Sequence, residues 1–192
     1  TPVYKHYILI LALVFGFAAA SPMLAQAADA PPQIVVGKDD APVTVVEYAS
    51  LTCGHCASFH QQHWPNVKEK LVDTGKVRWI FRDFPLDGPA LQGALMVHCM
   101  PAAQREAMLK VLFENQQRWA RGADARMALL QYGQLAGLSA DAANACLDNS
   151  KMKEQIIKGR VEAGEKLNVA STPTFIFNDG AERLTGARPV EE

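Results

Sequence analysis

The sequence lacks an excess of charge of either sign, because 19 lysine and arginine residues stand against 20 aspartate and glutamate residues in a chain of 192. A chain balanced in this way has no long-range field that would draw it to nucleic acid or to an anionic membrane surface. It also lacks internal repeats and low-complexity segments. With 49% hydrophobic residues, its composition is that of one ordinary globular domain.

Cysteine is scarce as well, with only Cys53, Cys56, Cys99 and Cys146. Four thiols in a chain of this length are too few for a small fold held together by disulfides. What the cysteines indicate about function therefore depends on the position of each one and on the compartment in which the protein works.

Residues 1–27 have the order of a secretory signal peptide. A basic start is followed by the apolar run Tyr7–Ala20 and by the small-residue sequence Ala25-Gln26-Ala27. The alternative is a membrane anchor, but the apolar run is shorter than the about 20 residues that span a bilayer. We expect cleavage to leave residues 28–192 in the periplasm, an oxidising compartment.

The first half of the exported part reads as a strand, a helix and a strand. A β-branched run, Val43–Tyr48, precedes the sequence Cys53-Gly54-His55-Cys56. Apolar residues then recur at helical spacing from Ala57 to Val72, and a further strand is predicted at Val77–Phe81. Such a unit places two parallel strands in one sheet.

The second half is predicted to be helical and then to return to strands. Alanine, leucine and methionine dominate from about residue 88 to 167. Strands follow at Thr174–Phe177 and Glu182–Leu184, and the Asn178-Asp179-Gly180 turn between them indicates a hairpin. The whole pattern predicts an α/β domain with a long helical segment inserted between its two halves.

The pair Cys53 and Cys56, placed between a strand and a helix, has the spacing of a reactive disulfide. The N–H groups at the start of a helix stabilise a thiolate, and in such motifs the pKa of the first thiol falls to roughly 3.5 to 7.5. His55 between the two sulfurs could add positive charge or a hydrogen bond. A thiolate that leaves easily makes the disulfide a stronger oxidant.

Two less reactive interpretations remain for this pair: an inert structural disulfide, or half of a zinc site. A zinc site needs a second pair of ligands, but Cys99 and Cys146 lack the two-residue spacing of such a pair. His60 and His63 are close in sequence, but on a helix they would lie a turn or more beyond the sulfurs. We expect no metal and no cofactor.

Two segments of the sequence resemble the DsbA-like thiol:disulfide oxidoreductases of the thioredoxin superfamily. Val45–Cys56 is similar to their active-site segment, and Thr172–Phe177 looks like their cis-proline loop and the following strand. The resemblance implies a thioredoxin fold with a helical domain inserted at about 88–167. It implies that Glu47 is a buried acid that helps to move the proton of Cys56, and that Thr172 and Pro173 contact the substrate.

Cys99 and Cys146 fall in the inserted helical segment. Two buried thiols in an oxidising compartment are expected to pair, and the resemblance implies a structural second disulfide of the kind that some family members carry. The alternative is two free thiols that serve as small apolar side chains.

By this resemblance the protein is a periplasmic enzyme, most simply a monomer, that introduces disulfides into reduced, exported proteins. A membrane partner of the DsbB type would reoxidise it. Two departures favour the alternative of a reductase or isomerase: the dipeptide between the cysteines is Gly54-His55, and Thr172 precedes the proline. A metal-binding module that uses the Cys53, Cys56 and His55 side chains is the other alternative.

The sequence ends where the family continues into a final helix. Pro189 with Glu191 and Glu192 looks like the first turn of that helix. We therefore expect the C-terminal helix to be truncated in this sequence.

Overall fold

The computed structural model describes residues 33–188 of the chain. The predicted signal peptide, residues 1–27, and the predicted first turn of a final helix, residues 189–192, lie outside the described residues.

Residues 33–188 build one five-stranded mixed sheet. Its strands are Gln33–Val36 (β1), Val43–Ala49 (β2), Val77–Asp83 (β3), Thr174–Phe177 (β4) and Glu182–Thr185 (β5). The order across the sheet is β1-β3-β2-β4-β5. β2 and β3 are parallel, as the sequence predicts, and the other neighbouring pairs are antiparallel. β2 is therefore the central strand.

The described helices follow the predicted order. They are Gly54–Gln62 (α1), Trp64–Val67 (α2), Gly88–Cys99 (α3), Arg105–Glu114 (α4), Gln116–Trp119 (α5), Ala125–Leu135 (α6), Ala140–Leu147 (α7) and Ser150–Lys166 (α8). Helices α3 to α8 lie between β3 and β4 in the sequence, so the sheet is completed only after the helical segment. The predicted α/β class and thioredoxin-type arrangement are confirmed.

Local signals define several of these helix starts. The side chains of Asp87, Asp124, Ser139 and Asn149 each accept a hydrogen bond from the N–H three residues later. Such caps satisfy N–H groups that have no partner within the helix. No helix formed by residues 33–188 is long and apolar enough to cross a membrane.

The sequence predicts one helix that opens at the cysteine motif and continues to Val72, and the second part of that prediction is wrong. The helix begins at Gly54, at the motif, but α1 ends at Gln62. Pro65 has no N–H to continue the hydrogen-bonding ladder, so a new helical turn starts at Trp64. A π-helical turn over Lys68–Val72 completes the segment.

An aromatic core fills the space between α1 and the sheet. The ring of Phe59 on α1 lies 4.8 Å from that of Phe175 on β4 and is stacked at 6.0 Å on Trp79 of β3, measured between ring centroids. Trp64 packs against Phe81 of β3 with ring centroids 5.1 Å apart. These contacts fix the position of α1, and with it the position of the two cysteines at its start.

Candidate active site

Cys53 is the N-cap residue of α1. Its backbone is extended, with φ −75° and ψ 120°, and its Sγ accepts a hydrogen bond from the N–H of Cys56 at 3.4 Å. The sulfur thus takes the place of the oxygen that usually caps a helix. It lies where the positive end of the helix favours a negative charge.

The pKa of the Cys53 thiol is lowered to about 5. The main cause is a hydrogen bond from the Cys56 thiol; the Thr172 side chain and the backbone N–H groups of Cys56 and His55 act in the same direction, while partial burial opposes them. At neutral pH the reduced Cys53 is therefore a thiolate.

Cys56 is in the opposite situation. Its side chain is fully buried, and burial raises the pKa of its thiol well above the usual range. The hydrogen bond to Cys53 and the negative charges of Cys53 and Glu47 raise it further. The thiol of Cys53 is therefore ionised at neutral pH, whereas the thiol of Cys56 keeps its proton.

Glu47 is a fully buried carboxylate on the central strand. Its Oε1 lies 2.9 Å from Nε2 of His60, and its Oε2 accepts a hydrogen bond from the indole N–H of Trp79 at 3.0 Å. His60 in turn stacks on Phe113, with ring centroids 4.1 Å apart and an interplanar angle of 9°. A buried carboxylate is costly unless it is paired, and both of its oxygens have partners here.

Thr172 and Pro173 lie beside the reactive sulfur, although they are far from it in sequence. The Thr172–Pro173 peptide bond is cis, and the Cys53 thiol donates a hydrogen bond to the Thr172 carbonyl at 3.3 Å. Within residues 33–188, the buried Thr172 hydroxyl has no hydrogen-bond partner. This hydroxyl can donate to the Cys53 sulfur once that sulfur is a thiolate.

His55 is exposed between the two cysteines. Its backbone N–H is among the groups that lower the pKa of Cys53. The sequence analysis attributes the lowered pKa to the N–H groups at the helix start and gives the His55 imidazole only as an additional contributor, and that contribution of the imidazole stays a prediction.

Cys99 and Cys146 are joined as a disulfide between the end of α3 and α7, with their Cα atoms 5.8 Å apart. The disulfide therefore closes a loop within the helical segment, between residues 47 positions apart. It is separate in sequence from the Cys53 and Cys56 pair, whose thiols are both free.

The part of the chain that the structure describes holds no group of three or more histidine, cysteine, aspartate or glutamate side chains placed to bind a metal ion. His60, which the zinc alternative considered, instead pairs with Glu47. His63 lies against the ring of Phe59.

Sequence reasoning missed three residues of the site. His60 and Trp79 hold the buried carboxylate, and Gln116 on α5 donates hydrogen bonds to the backbone of the active-site loop. The sequence held one signal for His60: it lies four residues after Cys56, and residues four apart share one face of a helix. No local signal points to Gln116, since its contacts depend on how the helical segment folds back.

Comparison with known proteins gives a consistent result. A family model described as thioredoxin matches residues 29–186. Crystallised alpha-DsbA1 of Wolbachia pipientis is 32% identical, covers 84% of this chain and 86% of its own, and superposes with a TM-score of 0.76. Oxidised BdbD of Bacillus subtilis is 25% identical, with 82% and 84% coverage and a TM-score of 0.70.

A Rickettsia typhi protein named as a protein-disulfide oxidoreductase is 31% identical over 146 residues, which is 76% of this chain and 54% of that protein. The chain thus spans about half the length of these curated relatives.

Proposed function

This chain belongs to the DsbA-like thiol:disulfide oxidoreductases of the thioredoxin family, and from that premise we propose that it introduces disulfide bonds into other proteins through a Cys53–Cys56 disulfide. The observation that carries the proposal is the asymmetry of the pair. Cys53 has a pKa of about 5, whereas the thiol of the buried Cys56 has a raised pKa.

In the first step, a substrate thiolate attacks the Sγ of Cys53 in the oxidised protein. A mixed disulfide forms between the substrate and Cys53, the Cys53–Cys56 bond breaks, and Cys56 leaves with the electron pair. Because its pKa is raised, Cys56 takes up a proton. We assign Glu47, whose negative charge acts on Cys56, the role of helping to move that proton.

In the second step, another thiolate of the substrate attacks the substrate sulfur of the mixed disulfide. The substrate disulfide forms, two electrons stay on the protein, and Cys53 leaves as a thiolate. Its low pKa makes it a good leaving group and stabilises the reduced protein. This favours the oxidising direction over the reductase or isomerase alternative.

Thr172 and Pro173 are proposed to contact the substrate. They border the Cys53 sulfur through the 3.3 Å contact with the Thr172 carbonyl. Free backbone groups of such a loop can pair with an extended substrate segment as an additional strand.

The wider setting is also proposed. If residues 1–27 act as a signal peptide, the protein works in the periplasm on reduced, exported proteins. A membrane partner of the DsbB type would then accept the two electrons and restore the Cys53–Cys56 disulfide. The second disulfide, Cys99–Cys146, is proposed to be structural.

Mixing the oxidised protein with a reduced, unfolded secreted protein such as ribonuclease A tests the proposal. We expect stoichiometric disulfide formation in the substrate and its loss in Cys53→Ser. In a second reaction, the free Cys53 thiolate of Cys56→Ser should attack a disulfide of oxidised, unfolded ribonuclease A, expel one substrate thiolate and stay bound as a mixed disulfide, because no Cys56 thiol is present to release it. The double variant Cys99→Ala/Cys146→Ala is the matched control and keeps the activity. Oxidation that persists in Cys53→Ser, or a Cys56→Ser protein that captures no substrate, would contradict the proposal.

A further inference from the structure

Gln116 is a buried amide that reaches from the helical segment into the active-site loop. Its side chain is on α5 and only 3% of the residue is exposed. The Nε2 group donates to the carbonyl of Leu51 at 2.9 Å and to the carbonyl of Cys53 at 3.0 Å. The two hydrogen bonds join residues that are 65 and 63 positions apart in the sequence.

The short helix α5 is itself held tightly. Trp119 is fully buried and its indole N–H donates to the carbonyl of Leu112 at 2.7 Å. Gln116 and Trp119 are three residues apart, so they share one face of the helical turn. The amide therefore has little freedom to move away from the loop.

A close approach of α3 supports the same contact. A Cβ at Gly93 would lie 2.9 Å from Cδ1 of Leu51 and 3.0 Å from Cη2 of Trp119. Only a residue without a side chain allows Leu51 and Trp119 to pack this closely on α3. The loop before Cys53 is thus clamped between α3 and α5, and Gln116 supplies the polar part of that clamp.

The carbonyl of Cys53 has a special position in this arrangement. This carbonyl oxygen accepts two hydrogen bonds. One is the first hydrogen bond of α1, from the N–H of Ala57 at 3.0 Å, and the other comes from the Gln116 amide. These two donors fix the orientation of the peptide that follows the reactive sulfur. The same orientation decides how the N–H of Cys56 points at the Sγ of Cys53, 3.4 Å away.

We propose that Gln116 is a positioning residue for the exchange chemistry of Cys53: its amide, delivered by the helical segment, holds residues 51–53 so that the start of α1 presents its N–H groups to the sulfur. This inference rests on the proposed function, because it names a residue that would set the reactivity of the same site. It gives the helical segment a direct role at the reactive cysteine, beyond covering the sheet.

The amide group suits this position for a physical reason. One NH₂ group offers two hydrogens and can serve two carbonyl oxygens at once. A carboxylate of the same size would offer none when ionised, and would bring negative charge beside two carbonyl oxygens and a thiolate. A methionine would fill the volume without donating.

The test uses the reduced full chain and measures ionisation of Cys53 by thiolate absorbance as a function of pH. We expect Gln116→Met to lower the ionisation constant of Cys53 roughly three- to tenfold, as for the loss of a hydrogen bond that supports a charged group. Gln116→Glu should lower it further. The rate at which Cys53 reacts with a small disulfide at pH 5 should fall in parallel.

Gln61→Met is the matched control. The Gln61 amide also donates to a backbone carbonyl between α1 and the helical segment, that of Phe113 at 2.8 Å, and this bond does not involve residues 51–53. Exposed Gln117 provides a second control, as Gln117→Met. Both should titrate as the unsubstituted protein does, even if Gln61→Met lowers the melting temperature.

A folded Gln116→Met protein whose Cys53 titrates like the two controls would overturn the inference. If that variant does not fold, the isosteric Gln116→Glu variant is titrated instead, and a Cys53 thiol that titrates like the controls would again overturn the inference. The proposed function is tested separately by substrate oxidation. If the unsubstituted protein oxidises no substrate, the proposed function is wrong. If the Gln116 variants leave Cys53 ionisation unchanged, only the positioning role of Gln116 is wrong.

Discussion

The thiols of Cys53 and Cys56, three residues apart at the start of α1, have pKa values shifted in opposite directions. Cys53 meets hydrogen-bond donors at the helix start, while Cys56 is removed from solvent and faces the charge of Glu47. In the proposed mechanism, the proton and electron movements at the pair are therefore ordered: Cys53 exchanges as a thiolate, and Cys56 is protonated after it leaves.

The reduced protein should lose stability relative to the oxidised protein as the pH falls. The Cys53 pKa is about 5 in the folded state against an ordinary value of 9.0, so its thiolate stabilises the folded reduced protein fully near pH 9. That contribution declines as the pH falls and is gone below about 5. The melting temperature of the reduced form minus that of the oxidised form, measured from pH 4 to 8, should rise with pH.

Groups that titrate equally in both redox forms cancel in this difference. Reduced Cys53→Ser protein is the control. Its melting temperature minus that of the oxidised, unsubstituted protein should not rise with pH. A difference that stays constant from pH 4 to 8 would be incompatible with a thiolate at Cys53.

Thr172→Val should weaken the thiolate. The buried Thr172 hydroxyl has no partner within residues 33–188 when Cys53 is a thiol, and it can donate to the thiolate. Removing that donor without changing the side-chain shape should raise the pKa of Cys53 from about 5 to roughly 6. Thiolate absorbance against pH measures it, and Thr172→Ser, which keeps the hydroxyl, should titrate as the unsubstituted protein does.

Glu47→Gln should slow the attack of Cys56 on a mixed disulfide. The substitution keeps the volume of the side chain and a group that can bond His60 or Trp79, but it removes the carboxylate that can accept the proton of Cys56. We expect the decay of a preformed Cys53–glutathione mixed disulfide to slow by roughly tenfold or more, since a positioned base contributes at least that much. An unchanged decay rate would remove Glu47 from the mechanism.

Cys99→Ala/Cys146→Ala should cost stability without changing the reactive pair. The bond joins residues 47 positions apart, and closing a loop of that size contributes about 4 kcal/mol to the free energy of unfolding when chain entropy dominates. In a domain of this size that is a fall in melting temperature on the order of 10 °C. If Cys53 titrated differently in this variant, the second disulfide would also influence the ionisation of the reactive cysteine.

The order of elements was predictable because it depends on local signals. The run Val43–Tyr48, the cysteine spacing and the Asn178-Asp179-Gly180 turn each act over a few residues, and the strands and α1 lie where these signals predict. The break before Trp64 was missed because apolar spacing continues across it. Pro65 decides the local geometry there, and the spacing of the core residues does not reveal it.

The surroundings of the site were less predictable than the cysteines themselves. Glu47 stands out in an apolar strand, but its partner His60 lies 13 residues away and Trp79 lies 32 residues away. Gln116 reads as one polar residue among many in a helical segment. Its contact with Cys53 exists only because α3 and α5 close around the loop, and that packing is a property of the whole fold.

The reduction potential of the Cys53–Cys56 pair, measured in equilibrium with glutathione, distinguishes a disulfide-forming protein from a reductase. A thiolate with a pKa of about 5 stabilises the reduced form, so we expect an oxidising potential, nearer to about −120 mV than to about −270 mV. A potential near about −270 mV, the range of a reducing thioredoxin, would contradict the proposed disulfide-forming role.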